Sequence, residues 1–266
     1  MLVFGKRSII TLAVLAVIIG WVYYFLTARG ITYIWHWEQI PQLLFYHGTK
    51  TAAETTPSWH LGVLMIGFVL TVKISIVAII FAVILGTIVG ICRLSSEPIT
   101  RAISIAFVEL IRNTPLLVQI YIIYFFAGSM LRLSAFAAGT AALAIFEGAY
   151  VGEIVRAGIQ SIHKGQMEAA RSLGMSYAKA MRYIILPQAF KRIIPPLAGQ
   201  FISLVKDSSL VSVIALADLM FQGQQAVART YSAFEIYFTV AALYLVMTSI
   251  LSMATQYIER RLAVSD

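Results

Sequence analysis

Charge is scarce in this chain. Asp, Glu, Lys and Arg make up 12% of 266 residues, against 60% hydrophobic residues and a mean hydropathy of +0.85. That leaves too little polar surface to cover a water-soluble globule of this length, so the bilayer must be its solvent. Cysteine is nearly absent: Cys92 stands alone, which excludes an intramolecular disulfide. No GxxxxGK[ST] loop occurs, and Gly48-Thr49-Lys50-Thr51 lacks its spacing, so the chain cannot cradle ATP by that device. His36, His47, His60 and His163 are isolated and form no HExxH, which speaks against a membrane zinc protease, and no GxSxG elbow is present. Turn residues are too sparse, and the apolar runs too long, for the alternating strands of an outer-membrane barrel.

What remains is apolar and continuous. A helix needs about 20 apolar residues to cross the ~30 Å hydrocarbon core, where lipid offers no partner to an open backbone. Six such segments run from Ser8 to Ala28, Leu61 to Cys92, Ala102 to Leu131, Leu133 to Ile162, Ile193 to Ala217 and Ala233 to Tyr257. The first follows Lys6-Arg7 but has no small-x-small cleavage site after it, so it reads as a retained anchor rather than a signal peptide. With the N-terminus cytoplasmic, only Arg29, Lys50, Arg132 and Arg229 of the 20 basic residues fall in outer loops, which satisfies the positive-inside bias. The net charge of +8 then reflects membrane side rather than a nucleic-acid partner. Trp35, Trp37, Tyr46 and Trp59 belong to the first outer loop, where amphipathic rings favour headgroup level. Thr56-Pro57 reads as a cap with proline at the first helical position, and Ser232 to Glu235 as a capping box before the last span.

Ionisable residues inside a bilayer cost a few kcal/mol each and so face protein or water. They are Lys73, Glu109 and Arg112 beside Asn113, Glu147, Glu153 and Arg156, and Lys206 with Asp207. Glu109 with Arg112, and Glu153 with Arg156, are three apart and are expected to pair on one helix face. Lys206 and Asp207 diverge by ~100° and need other partners, as do Glu147 and Lys73. Pro115 should kink the third span, making Asn113-Thr114-Pro115 a cavity-lining point. Gly86 with Gly90, and Gly148 with Gly152, form GxxxG pairs that permit close helix approach.

The most informative stretch is Glu168 to Pro187, EAARSLGMSYAKAMRYIILP. A short helix is expected from Gln166 to Leu173, stopped by Gly174. A second, capped by Ser176, should run from Tyr177 to about Ile185 and be limited by Pro187. A DNA-reading helix-turn-helix is excluded because membrane spans tether the pair on both sides.

Glu168-Ala169-Ala170, Gly174, Leu186 and Pro187 resemble the EAA coupling loop of the membrane subunits of ATP-binding cassette importers. FVELIRNTPLLVQIYIIYF, AYVGEIVRAGIQSIHKGQ and LVKDSSLVSVIALADL extend the resemblance over Leu61 to Tyr257, to type I importers of the polar amino acid uptake family. It implies an all-α integral membrane protein: a five-helix core, here with an additional N-terminal transmembrane helix. The domains would be an anchor at 1–30, an outer loop at 31–60, the permease domain at 61–258 containing a coupling loop at 163–190, and a cytoplasmic tail at 259–266. It further implies a permease subunit of the bacterial inner membrane, with both termini cytoplasmic. A second permease subunit, two ATPase subunits and an extracytoplasmic amino-acid-binding protein would be its partners. This chain would bind no cofactor, since ATP and Mg belong to the ATPases, and would be no enzyme by itself. Glu168, Ala169, Ala170, Gly174, Leu186 and Pro187 would couple to the ATPase. An amino acid needs a cationic and an anionic contact, so Glu109, Arg112, Asn113, Glu147, Lys206 and Asp207 are the candidate pathway residues. An opine or other amino-acid derivative as cargo, and a stand-alone channel, remain the alternative readings.

Overall fold

The computed structural model of the protein describes Ala16, Val17, Gly20, Trp21, Tyr24 and residues 33–48 and 58–263. Most of the expected N-terminal span, the Thr56-Pro57 cap and the extreme C-terminus lie outside the described residues. The chain divides into Met1–Trp37 and Glu38–Asp266. In the first unit the five separate positions from Ala16 to Tyr24 are helical, and Tyr33 meets Trp35 edge-on at 5.0 Å.

The second unit begins with a short helix, α1 (Ile40–Leu44), and then a feature that the sequence reading passed over: an antiparallel hairpin of β1 (Phe45–Gly48) and β2 (Ser58–Leu61). One glycine later α2 (Val63–Cys92) starts, the most apolar span. The remaining elements are α3 (Pro98–Arg112), α4 (Leu116–Tyr121), α5 (Ala135–Gln160), α6 (Lys164–Ser172), α7 (Tyr177–Ala180), α8 (Leu186–Asp207), α9 (Leu219–Thr230) and α10 (Ala233–Ala263). A π-helical stretch, Ile122–Gly128, extends α4. Another, Met181–Ile185, joins α7 to α8, and a 3-10 segment, Ser208–Ile214, ends α8.

Two expectations need correction. The third span is not a kinked rod: α3 and α4 meet at 105° across a break at residues 113–115. Pro115 takes an extended backbone (ψ 134°) at the N-cap of α4, so the helix restarts rather than bends. Gln119 makes the break tolerable in a dry environment, because its Nε2 donates to the carbonyl oxygens of Ile111 (2.8 Å) and Thr114 (3.2 Å). Pro187 does not end the helix before it either. It sits in the first turn of α8, and Tyr177 to Ile214 behaves as one 38-residue apolar span. The wider π turn just before it loosens the register where proline cannot donate, and Gln188 Nε2 supplies a donor to the Ile184 carbonyl at 2.8 Å.

The core is built on α2 against α5, where the two GxxxG pairs face each other. A Cβ on Gly86 would lie 2.5 Å from Val151 Cβ and 2.7 Å from the Gly148 carbonyl oxygen, and one on Gly90 2.7 Å from that of Gly152. Backbones this close gain dispersion contacts that lipid tails cannot match. Around this seam Ile74, Ala78, Ile120, Leu143, Leu204 and Val211 close the central cluster, while Leu64, Leu219, Ile236 and Val240 join α2, α9 and α10 at the other end of the unit.

Gly86→Ala should therefore force α2 off α5 and lower stability by about 1–3 kcal/mol, the usual cost of overpacking. Gly199, with nothing within 4 Å of its would-be Cβ, is the control: Gly199→Ala should leave stability unchanged or raise it by up to about 1 kcal/mol. Thermal unfolding in detergent measures both, and equal midpoints for the two variants would contradict the packing described.

Candidate functional site

The two-helix elbow between α5 and α8 is held by capping written in its sequence. His163 caps α6, its Nδ1 accepting from the Gly165 amide at 3.1 Å. At the other end the Gly174 amide donates to the Arg171 carbonyl (3.0 Å) and the Met175 amide to that of Ala170 (3.1 Å). This Schellman pairing closes the helix. It needs a left-handed residue, and Gly174 supplies it with φ +83°. Ser176 then caps α7, its hydroxyl accepting from the Lys179 amide at 3.4 Å. The two-helix elbow expected from the sequence is thus present, though the second helix is α-helical only to Ala180.

The predicted coupling residues divide between two faces. Glu168, Ala169 and Gly174 are exposed at the tip, with Pro187 exposed at the start of α8. Ala170 is buried and Leu186 half-buried, so these two hold the elbow to its base. That base is apolar: Ile162 and Ile185 pack with Val151, Val155 and Ile193 of α5 and α8. Leu173 (84% exposed) and Tyr177 (61% exposed) were missed as site residues. Large apolar side chains at an otherwise charged tip were the signal.

At membrane depth the predicted polar residues form two groups. On α5, Glu147 is 1% exposed, and its Oε2 accepts from Nε2 of Gln200 on α8 at 2.6 Å. Its other oxygen is buried without a hydrogen-bond partner in the described structure. Beyond Gln200 on the same helix, Lys206 is exposed and Asp207 half-buried. The second group lies at the α3–α4 break. Here the expected Glu109–Arg112 pair does not form: Glu109 Oε2 instead accepts from Asn113 Nδ2 at 3.0 Å. The Arg112 guanidinium lies 5.0 Å from the centre of the Tyr150 ring. Its charge is met by the π face across the helix gap, while the helix-ending Asn113 turns back on Glu109. Tyr150 is three residues from Glu147 on α5, so the two groups share one helical face. Lys73 is exposed on α2 among Ile66, Val69 and Ile76 and joins neither.

Nearer the elbow, Glu153 and Arg156 pair as expected, and Arg93 at the end of α2 completes a three-residue ion network on the same carboxylate. Arg93 and Gln200 escaped sequence reasoning because nothing in linear spacing connects them to α5. Asp218 was legible but passed over: a lone acid before a helical run, it caps α9 by accepting from the Phe221 amide at 2.9 Å. Among the described residues no group of three or more His, Cys, Asp or Glu could hold a metal ion.

A family model described as "Binding-protein-dependent transport system inner membrane component" matches residues 78–264. The probable glutamine ABC transporter permease protein GlnM of Bacillus subtilis is 46% identical over 202 residues, 76% of this chain and 94% of that protein. The arginine transport system permease protein ArtQ of the same organism is 39% identical, over 75% of this chain and 92% of that one. A crystal structure of an amino acid ABC transporter with histidines superposes with a TM-score of 0.70 at 43% identity, covering 75% of this chain and 94% of its own. An inward-facing MetNI methionine ABC transporter, at 20% identity and a TM-score of 0.64, shares the fold. A capped two-helix elbow, four to five apolar spans among the described residues and a match over most of the chain agree: this protein belongs to the binding-protein-dependent transport system inner membrane component family, as a permease subunit of the type I ABC importers.

Proposed function

We propose that this chain forms half of a pathway for polar amino acids, pairing with a second permease subunit and driven by two cytoplasmic ATPases that bind the ATP and Mg. An extracytoplasmic binding protein delivers the cargo. Residues 61–258 make the permease domain, 163–190 the elbow that enters the ATPase, 1–30 an additional membrane anchor, 31–60 an outer segment and 259–266 a cytoplasmic tail, with both termini in the cytoplasm. The likeness to glutamine and arginine permeases favours amino acids over other small cargo, and family membership removes the reading as a stand-alone channel.

One observation carries the mechanism. The helix that leaves the elbow at Tyr177 continues to Ile214 as one 38-residue span, about 57 Å at 1.5 Å per residue. Displacement of Glu168, Ala169, Ala170 and Gly174 passes through the capped turn into this span and so reaches Gln200, Lys206 and Asp207 along one continuous helical segment. A short rigid lever suits the task, because the ATPase stroke must alter contacts at mid-membrane to change which side the pathway faces. Glu109, Arg112, Asn113, Glu147, Lys206 and Asp207 supply both charge signs along that path. Exposed on a single chain at membrane depth, Arg112 and Lys206 are affordable only where water, cargo or the second subunit covers them.

Gly174→Asp should insert and assemble but lose most ATP-driven uptake, since it puts a charge at the docking tip on a left-handed backbone that Asp and Asn adopt more readily than other side chains. Gly174→Asn, which tolerates that backbone without the charge, should retain more. Uptake and ATP hydrolysis in vesicles measure the split, and normal uptake by Gly174→Asp would defeat the lever role.

The pathway assignment is tested separately by single alanine variants of the six polar residues in the verified complex. Glu147→Ala is expected to lower uptake about tenfold or more, because it strands the Gln200 amide and removes a charged acceptor worth about 1.5–3 kcal/mol. Unchanged uptake and selectivity in all six would overturn the assignment.

A further inference from the structure

The β1–β2 hairpin lies before the family match, which begins at residue 78. Its register pairs Phe45 with Leu61, Tyr46 with His60, His47 with Trp59 and Gly48 with Ser58. Side chains alternate between faces along a strand, and the two faces differ in kind. One is half-buried and internally satisfied. There the Tyr46 and His60 rings stand 5.2 Å apart, and His60 Nε2 lies 2.9 Å from Ser58 Oγ and 3.1 Å from the Gly48 carbonyl oxygen. The other presents Phe45 (48% exposed), Trp59 (73%) and Leu61 (43%), with the His47 ring edge-on to Trp59 at 5.2 Å. None of the eight strand residues is charged.

We propose that this outward face is a lipid-contact surface, lying in the headgroup layer of the leaflet at the N-terminal end of α2. Continuity with the span fixes its height. Only Gly62 separates β2 from α2. The 30 residues of α2 reach about 45 Å, the thickness of a whole bilayer with its headgroup regions rather than of its hydrocarbon core. Val63 therefore stands at headgroup level, and the hairpin, attached one residue away, starts there. The attachment is stiff. The Gly62 amide donates to the Leu44 carbonyl oxygen at 2.7 Å, and a side chain at Gly62 would run into the Leu43 carbonyl. Ile40 of α1 is buried with Leu64, Leu219 and Ile236.

The chemistry of the face selects its occupant. Trp and Phe rings with a polar rim gain most where an apolar body meets a wet headgroup. A docking protein would instead find no charge on the strands to steer or orient it. The hairpin thus acts as a float clamped to the top of α2, resisting vertical sliding of that helix while α8 moves.

The test uses the full chain, assembled with its partners in phosphatidylcholine vesicles. Trp21→Phe, Trp35→Phe and Trp37→Phe together leave Trp59 as the sole tryptophan of the original four. Quenching by a lipid with a nitroxide on its headgroup should exceed that by a deep acyl-chain nitroxide about twofold or more, with aqueous iodide weak, as an interfacial ring requires. Strongest quenching by the deep nitroxide, or by iodide with neither lipid effective, overturns the proposal. So does lipid quenching that disappears when the extracytoplasmic binding protein is added, because the occupant is then protein. If the triple variant does not fold, the native chain and Trp59→Ser are compared: a fall in headgroup quenching supports the surface, and no difference overturns it.

Discussion

Inside a bilayer, two helices gain nothing by hiding apolar surface from each other, since lipid is as apolar as leucine, and they adhere only where they approach closely enough to outdo lipid packing. Here that place is the contact of Gly86 and Gly90 with Gly148 and Gly152, where backbone atoms stand where side chains would otherwise be. Once α5 is fixed on α2, much follows. Glu147 precedes Gly148 and so turns toward α8 rather than α2. Tyr150, one turn on, receives Arg112 from the α3–α4 break. Glu153, a residue past Gly152, meets Arg93 at the end of α2. One helix thereby registers the α3–α4 break, α8 and the C-terminal end of α2 against one another.

The departures from regular helix cluster around that spine, and each is compensated nearby. The break at Asn113 to Pro115 frees carbonyls that Gln119 recaptures, and Thr114 Oγ1 donates to the Leu110 carbonyl at 2.9 Å. The π turn at Met181–Ile185 lets the helix pass Pro187, and Pro195 and Pro196 are carried inside α8. Lipid would charge several kcal/mol for each unsatisfied backbone group, and at two of these places, the 113–115 break and the turn before Pro187, a glutamine side chain supplies the donor.

Much of this was legible in the sequence because the signals are local. The segments Leu61 to Cys92 and Leu133 to Ile162 lie within a few residues of α2 and α5, Ala233 to Tyr257 starts with α10, the elbow follows its glycine and serine stops, and the GxxxG spacing forecast the close seam, whereas Ile193 to Ala217 caught only the second part of the span from Tyr177 to Ile214. What escaped was non-local or dihedral. A proline marks a departure from helix without saying which: Pro115 sits at a 105° break while Pro187 sits in a continuous span. The difference lies in the extended backbone at one and the π turn before the other. Gln200 meeting Glu147, and Arg93 meeting Glu153, depend on helix rotation, which no spacing along one chain reveals. The Glu109–Arg112 expectation failed because an aromatic ring on another helix competed for the guanidinium.

The Glu147–Gln200 bond is where these observations converge on mechanism. A neutral amide donating to a buried carboxylate orients it but does not neutralise it, and the second oxygen of Glu147 has no partner in the described structure. A carboxylate so placed is stabilised less than one fully paired, so an arriving ammonium would gain more there than in water. Gln200 lies on α8, the proposed lever, and Glu147 on α5. Under that proposal a stroke that turns α8 would stretch or exchange this bond, and a cation bound at the free oxygen would lower the cost of that exchange. Cargo and nucleotide would then act on one contact from opposite sides, which is the differential interaction that coupling requires.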